Sequence, residues 1–304
     1  DGGLQGGPMY YIRDGLGSPL LAACFCLACI PATLAGGNLV QSSSIASSLE
    51  AAYGLPRFPT GLVTALLAGL VMVGGLGRIA AVSSALVPAM AALYLGSGVL
   101  VLLLHWSMVP KALLLIFSQA LSPAAALGGG TGWTLSAALR YGVSRGVFTN
   151  EAGLGTSAMA HGAAKTDCPA RQGMWGIFAV FMSTLVVCTI TALAILVSEL
   201  PLSPGALTGA PLTAAAFGSA LGQTGEGIVS LSLLLFAFSS ILGWSYYGEQ
   251  CLLFLTFNKG KKLPSSIFFY RTVFLGCTFL GAVWSPQTIW QLVDFFNALM
   301  ALPN

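Results

Sequence analysis

An arginine, an asparagine, a glutamate and two glycines stand close together near the middle of the chain, in Arg145-Gly146-Val147-Phe148-Thr149-Asn150-Glu151-Ala152-Gly153-Leu154-Gly155-Thr156-Ser157-Ala158-Met159-Ala160-His161. These residue types suit holding an ion or a small charged group better than breaking a bond. Gly153 and Gly155 each weaken a helix by about 1 kcal/mol relative to Ala. They also let the backbone approach a ligand closely or leave the helical region. Thr149 and Asn150 are N-cap types, so the spacing predicts a short helix from Glu151 to about Ala164. Begun inside a membrane, that helix aims unpaired N–H groups and a partial positive charge at whatever precedes it. Broken membrane helices hold anionic groups and ions in this way. Glu151, in the first turn, is expected to stay ionised, with Arg145 near enough in sequence to pair with it. The competing reading is a glycine-rich loop at a membrane surface with Glu151 solvated.

Uncharged oxygen recurs elsewhere. Phe238-Ser239-Ser240-Ile241-Leu242-Gly243-Trp244-Ser245 places two adjacent hydroxyls and an indole in a stretch made mainly of Leu, Phe and Ala. Hydroxyl and carbonyl oxygens suit hard cations, while the plainer reading has both serines bonding back to the preceding turn. Thr184, Thr189 and Thr191 read as packing hydroxyls. Glu249 closes Trp244-Ser245-Tyr246-Tyr247-Gly248, and this aromatic run fits a membrane interface. His105 and His161 stand far apart, no metal-ligand spacing is present, and Gly128-Gly129-Gly130-Thr131-Gly132 lacks the Lys-Ser/Thr ending of a phosphate loop. Cys26-x-x-Cys29 lies in an apolar run with no second pair, so six of the seven Cys read as small core residues. No enzyme, organic cofactor or nucleic-acid partner is indicated.

The elements that must position these groups are membrane helices. Hydrophobic residues make up 56% of the chain and charged ones 7%, against about 25% charged in a soluble domain. This is an all-α polytopic membrane protein whose partner is the lipid bilayer. A span needs about 20 residues. An apolar run from Pro19 to Ala35 is interrupted by Gly36-Gly37-Asn38 and made polar on one side by Gln41-Ser42-Ser43-Ser44. Residues 60–77 form a second span closed by Arg78, and residues 80–104 a third containing Pro88. Residues 112–127 either span or lie in the interface. Residues 172–198 and 227–256 are spans, the loop 258–271 carries Lys259, Lys261, Lys262 and Arg271, and two further runs begin at Ile267 and Thr288. Lysine and arginine favour the cytoplasmic side, which puts 258–271 inside and 199–226, with no Lys or Arg, outside. Both readings of 112–127 leave eight basic residues inside and four, including Arg140 and Arg145, outside.

Gly6-Gly7-Pro8-Met9-Tyr10-Tyr11-Ile12, Gly37-Asn38-Leu39-Val40-Gln41, the string from Arg145 to Gly155, Phe238-Ser239 through Gly248-Glu249, and Ala301-Leu302-Pro303-Asn304 resemble the alanine or glycine:cation symporter family along essentially the whole chain. The resemblance implies symport of a small neutral amino acid with Na+ through an inverted-repeat, leucine-transporter-type bundle of five plus five helices. A passive channel or pore is the competing function. By the resemblance, 112–127 is not a full span and residues 1–304 form one transporter domain holding roughly eight core helices. The first two would precede Asp1, and the tenth would be cut at Asn304. The 145–161 stretch then looks like the broken sixth core helix, the Asn38 and Gln41 span like the third, and the Ser239 and Ser240 span like the eighth. Asn38, Gln41, Thr149, Asn150, Gly153, Gly155 and Trp244 are implied to surround the amino acid, with its carboxylate or counter-ion at the N–H groups of 153–155. Ser239 and Ser240 are implied to ligate sodium with carbonyls of the first helix, and Glu151 and Arg145 to act electrostatically. Three positions depart from the family pattern: Thr149 where Ser is usual, Ser240 where Thr is expected, and Ser183 where Asp is common.

Overall fold

A computed structural model of the chain describes residues 6–120, 135–151, 153–201, 207–256 and 265–304, and every regular element among them is helical. Ser18 accepts from the Leu21 N–H and Pro19 takes the first helical position, so a helix starts there and runs to Tyr53. It comprises α2 (Pro19–Leu34) and α3 (Val40–Tyr53), joined by a π turn (Ala35–Leu39), and is preceded by α1 (Pro8–Asp14). The glycine pair does not break this helix: Gly36, Gly37 and Asn38 are the buried π turn within it. Left-handed Gly54 ends it, its N–H turned back to Leu49 and Glu50.

The span expected over 60–77 is instead the 16-residue α4 (Arg57–Met72), one of the shorter apolar helices rather than one long enough to count as a span, because Gly74 and Gly75 turn the chain, with Gly75 at φ 67°. Arg78 therefore lies in the first turn of α5 (Gly75–Leu104) rather than closing α4. Of the 112–127 segment, only α6 (Val109–Ala120) is seen. Its 12 residues reach about 18 Å, less than a bilayer core of about 30 Å; residues 121–134 lie outside the described ones. After α7 (Leu135–Asn150) and α8 (Thr156–Gly162) come α9 (Pro169–Val180), a second π turn (Phe181–Val187) and α10 (Cys188–Val197), continuous as one helix. The chain continues through α11 (Gly209–Leu221), α12 (Gln223–Thr256), α13 (Ser265–Val283) and α14 (Pro286–Ala301). The basic loop expected over 258–271 is thus partly helix: α13 begins at Ser265 and includes Arg271. Its lysines, at 259, 261 and 262, lie outside the described residues.

Among the described residues, five helices are long and apolar enough to cross a membrane: Pro19–Tyr53, Gly75–Leu104, Pro169–Val197, Gln223–Thr256 and Ser265–Val283. α12 is the central post, packed against α2, α3, α5 and α11. With lipid as apolar as leucine, close contact between such helices depends on small residues. Gly37 shows this: the Trp244 ring lies where a Cβ would stand, so no larger residue fits. One core joins Phe25, Cys26 and Cys29 to Leu154, Trp244 and Cys251, and a second joins Ile45, Ala68 and Met72 to Ile241 and Phe274. Cys26, Cys29 and Cys251 are buried free thiols of the first core, while Cys24 and Cys188 are exposed.

Candidate functional site

The predicted break in the middle of the chain is present, but it is shaped differently. α7 runs through Thr149 and Asn150, so these two end a helix instead of capping the next one. Glu151 (φ 55°), Gly153 (φ 74°) and Gly155 (φ 76°) all take the left-handed conformation, and helix resumes only at Thr156. The helix expected from Glu151 is displaced because left-handed residues at 151, 153 and 155 cannot continue a right-handed helix. Leu154 N–H donates to the Glu151 carbonyl at 3.1 Å, closing the turn. Leu154 itself is fully buried beside Met9 and Met159, which fixes the turn in the core.

Several side chains hold the turn. The Thr156 hydroxyl donates to the Glu151 carboxylate at 2.6 Å, and Asn150 Nδ2 donates to Thr184 Oγ1 at 3.2 Å in the second π turn. Asn304 Nδ2 donates to the Gly153 carbonyl at 2.9 Å, while Asn304 Oδ1 accepts from the Tyr11 hydroxyl. A Cβ on Gly155 would collide with the Pro8 ring and come within 2.9 Å of Asn304 Oδ1. Pro8 and Tyr11 of α1 and Asn304 after α14, far apart in sequence, therefore meet at this turn. Tyr11, Thr184 and Asn304 were not singled out as site residues, although Tyr11 and Asn304 sit in strings that carried the resemblance.

Arg145 does not pair with Glu151. Its guanidinium binds Asp294 of α14, at 2.7 Å and 3.4 Å, and lies 3.8 Å from the centre of the Trp290 ring. Six residues apart, Arg145 and Glu151 would be about 120° apart around a helix, and the left-handed turn directs Glu151 to Thr156 instead. Glu249 is paired across helices. It is buried and accepts from Arg271 at 2.6 Å and 2.9 Å, tying α12 to α13.

The predicted residues fall into three groups. Thr149, Asn150 and Glu151 line a cavity of about 1100 Å³ together with Ser157, His161 and Ser183. Asn38, Gln41 and Trp244 meet around the first π turn, joined to the first group by Phe148. The Phe148 ring stacks with Trp244 at 6.5 Å between centroids, meets Trp290 edge-on at 5.6 Å, and sits over Gly36. Asn38 Nδ2 donates to the Phe274 carbonyl at 2.6 Å, and its Oδ1 is buried with no hydrogen-bond partner among the described residues. Gln41 Nε2 donates to the Gly36 carbonyl at 3.5 Å. Ser239 and Ser240 form the third group. Ser239 Oγ donates to the Phe236 carbonyl at 2.9 Å, the back-bonding of the plainer reading, which leaves the oxygen's lone pairs available. Ser240 lies four residues before Trp244 and so shares its helix face. Among the described residues no group of three or more His, Cys, Asp or Glu could hold a metal.

The model of the sodium:alanine symporter family matches residues 1–304. A transporter of Haemophilus influenzae is 40% identical over the whole chain, which covers 66% of that protein. A sodium/alanine symporter of Methanococcus maripaludis is 39% identical with the same coverage. A probable sodium/glutamine symporter of Bacillus subtilis is 38% identical over 99% of the chain and 61% of its own length. The chain thus spans about two thirds of the length of these relatives.

Proposed function

Because the chain belongs to the sodium:alanine symporter family, an assignment its membrane-spanning helices match, we propose that the protein carries a small neutral amino acid across the cytoplasmic membrane together with sodium, by alternating access. The observation that carries this reading is the turn at Glu151, Gly153 and Gly155, set between two helices, with Thr149, Asn150 and Glu151 facing a large cavity. Irregular backbone at membrane depth is tolerated where it lines a cavity or is buried in protein. In this reading the fold is the five-plus-five inverted repeat, with 199–226 outside and 258–271 in the cytoplasm. The two core helices that the family resemblance places before Asp1 complete the site.

The amino acid lies against the turn, between Thr149 and Asn150 on one side and Asn38, Gln41 and Trp244 on the other. Asn38 Oδ1, a buried acceptor without a partner among the described residues, is suited to an ammonium or a cation. Relatives named for alanine and for glutamine align alike, so the shared requirement is the α-amino-acid zwitterion. The Trp244 and Phe148 rings packed on Gly37 and Gly36 favour the small alanine, glycine and serine class. Ser239 and Ser240 supply hydroxyl oxygens to sodium, and Glu151 supplies negative charge near the path.

The test is uptake of radiolabelled L-alanine by proteoliposomes of the full-length protein under an imposed sodium gradient. Accumulation above the external concentration, lost when the gradient is collapsed, is the expected result. Equilibration without accumulation would make the protein a passive pore and overturn the reading.

A further inference from the structure

We propose that the groove between α3, α4, α5 and α12 holds one phospholipid of the phosphatidylethanolamine type, with an acyl chain in the groove and the head group on the Arg57–Glu50 pair. The proposal concerns a partner in the bilayer and stands whatever the protein transports. The groove has a volume of about 500 Å³, within the usual range for small-molecule sites, about 300–1,000 Å³. Each helix gives it side chains four residues apart, such as Ile45 and Leu49 on α3 or Val82 and Leu86 on α5, so the wall is built of stripes from four helix faces.

The lining offers nothing to a polar ligand. Among the described residues only Thr60 and Thr64 bring polar side chains to it. Both hydroxyls donate within α4, to the carbonyls of Pro56 at 2.9 Å and Thr60 at 2.8 Å. A buried water makes about three hydrogen bonds, and an amino acid needs more, so neither is held here. Ile45 is fully buried at the floor, whereas Leu55, Val63 and Leu67 are each about half exposed at the rim. Leu62, Leu66 and Leu70 extend that exposed apolar surface along α4. In a membrane protein such a surface faces lipid, so the material at the rim is acyl chain. On α4 the lining runs from Pro59 to Leu67, a rise of about 12 Å. That is close to one leaflet's half of a hydrocarbon core about 30 Å thick.

Charge selects the head group. α3 and α4 join through the short loop 54–56, and Leu49, Leu55 and Pro59 of the lining put this loop at one end of the groove. Glu50 and Arg57 flank the loop and pair at 2.6 Å, with side chains 46% and 34% exposed. Among the described residues only Nε of Arg57 is engaged, on one Glu50 oxygen. The remaining guanidinium N–H groups are left for a phosphate, which arginine matches well, and the second Glu50 oxygen for an ammonium. Phosphatidylethanolamine carries both groups on a short linker and so meets both charges of the pair. A lipid with a net negative head group has no ammonium for Glu50, and a choline head group has no N–H to donate to it.

The experiment is native mass spectrometry of the full-length protein, purified in detergent and titrated with phosphatidylethanolamine, phosphatidylcholine or phosphatidylglycerol of identical chains. One phosphatidylethanolamine per protein is expected to be retained about fivefold more tightly than either other lipid, the gain expected from two exposed charge contacts. The Arg57→Gln/Glu50→Gln variant, made at partly exposed positions, should bring all three lipids to one affinity. Val63→Trp, which fills the groove from its exposed rim, should abolish the retained lipid while the protein unfolds at the parent's temperature. Equal retention of the three lipids by the parent, or a preference for phosphatidylglycerol, would overturn the proposal. So would a phosphatidylethanolamine preference that survives in the double variant, or an unchanged bound lipid in Val63→Trp.

Discussion

Gly153 and Gly155 look equivalent in the sequence, and the structure predicts that they respond very differently to the same substitution. Both have positive φ, 74° and 76°, so an alanine at either costs about 1–2 kcal/mol in backbone strain. At Gly153 that is the whole cost, because nothing lies within 4 Å of the position its Cβ would take. At Gly155 the new methyl meets the Pro8 ring, which cannot rotate away, and Asn304 Oδ1 at 2.9 Å. Overpacking of this kind adds roughly 1–3 kcal/mol. Moving Asn304 also disturbs its bond to the Gly153 carbonyl and its contact with Tyr11. Gly155→Ala is therefore expected to cost roughly 2–5 kcal/mol and Gly153→Ala about 1–2. The assay is denaturant unfolding of the full-length protein in detergent micelles, followed by circular dichroism, with sodium-dependent alanine binding measured on the same samples. Gly153→Ala should stay folded and lose binding, whereas Gly155→Ala should lose stability first. Equal midpoints for the two variants, or a Gly155→Ala protein as stable as the parent, would refute the packing argument.

Ser239→Ala and Ser240→Ala should each raise the sodium concentration for half-maximal uptake, and an unchanged sodium dependence in well-expressed single and double variants would remove them from the ion site. Arg271→Met leaves Glu249 as an unpaired buried carboxylate and is expected to cost about 3–5 kcal/mol, with much of that recovered in the Arg271→Met/Glu249→Met pair; a double variant as unstable as the single one would contradict this. Glu151→Gln keeps the acceptor for Thr156 but removes the charge: uptake should fall, with the remainder sodium-dependent at every pH. Retained exchange together with loss of a pH dependence present in the parent would instead make Glu151 a proton carrier.

Much of this was legible because hydropathy and glycine placement are strong local signals. Spans read from apolar runs coincide with α5, α9 with α10, and α12 to within a few residues. What local reading missed were effects of tertiary contact. The Gly36-Gly37-Asn38 interruption is a π turn because Trp244 and Phe148 press on its two glycines from other helices, a fact absent from the local sequence. Arg271 lies six residues after the start of α13, inside the helix, and Glu249 on another helix takes up its charge. Tyr11 and Asn304, 293 residues apart, meet at the turn only through the tertiary fold.

The parting of Arg145 from Glu151 changes the electrostatics of the turn more than any other difference. Proximity in sequence suggested a neutral pair, which would leave the cavity with no net charge to offer. Arg145 instead spends its charge on Asp294, and no ion pair holds Glu151 among the described residues. Its built-in partner is a neutral hydroxyl, that of Thr156 at 2.6 Å. A hydroxyl donor does not cancel a carboxylate's charge, so in the proposed reading, where Glu151 is ionised, its charge faces the cavity that Thr149, Asn150 and Ser183 also line. A permanent arginine there would repel both sodium and the substrate ammonium. If the proposed transport reading holds, an ionised Glu151 without a basic partner attracts them instead. On this argument, placing an arginine within reach, as in Ser157→Arg, should abolish sodium-dependent uptake while the protein remains folded; normal uptake in that variant would show that the charge of Glu151 does not act on the transported species.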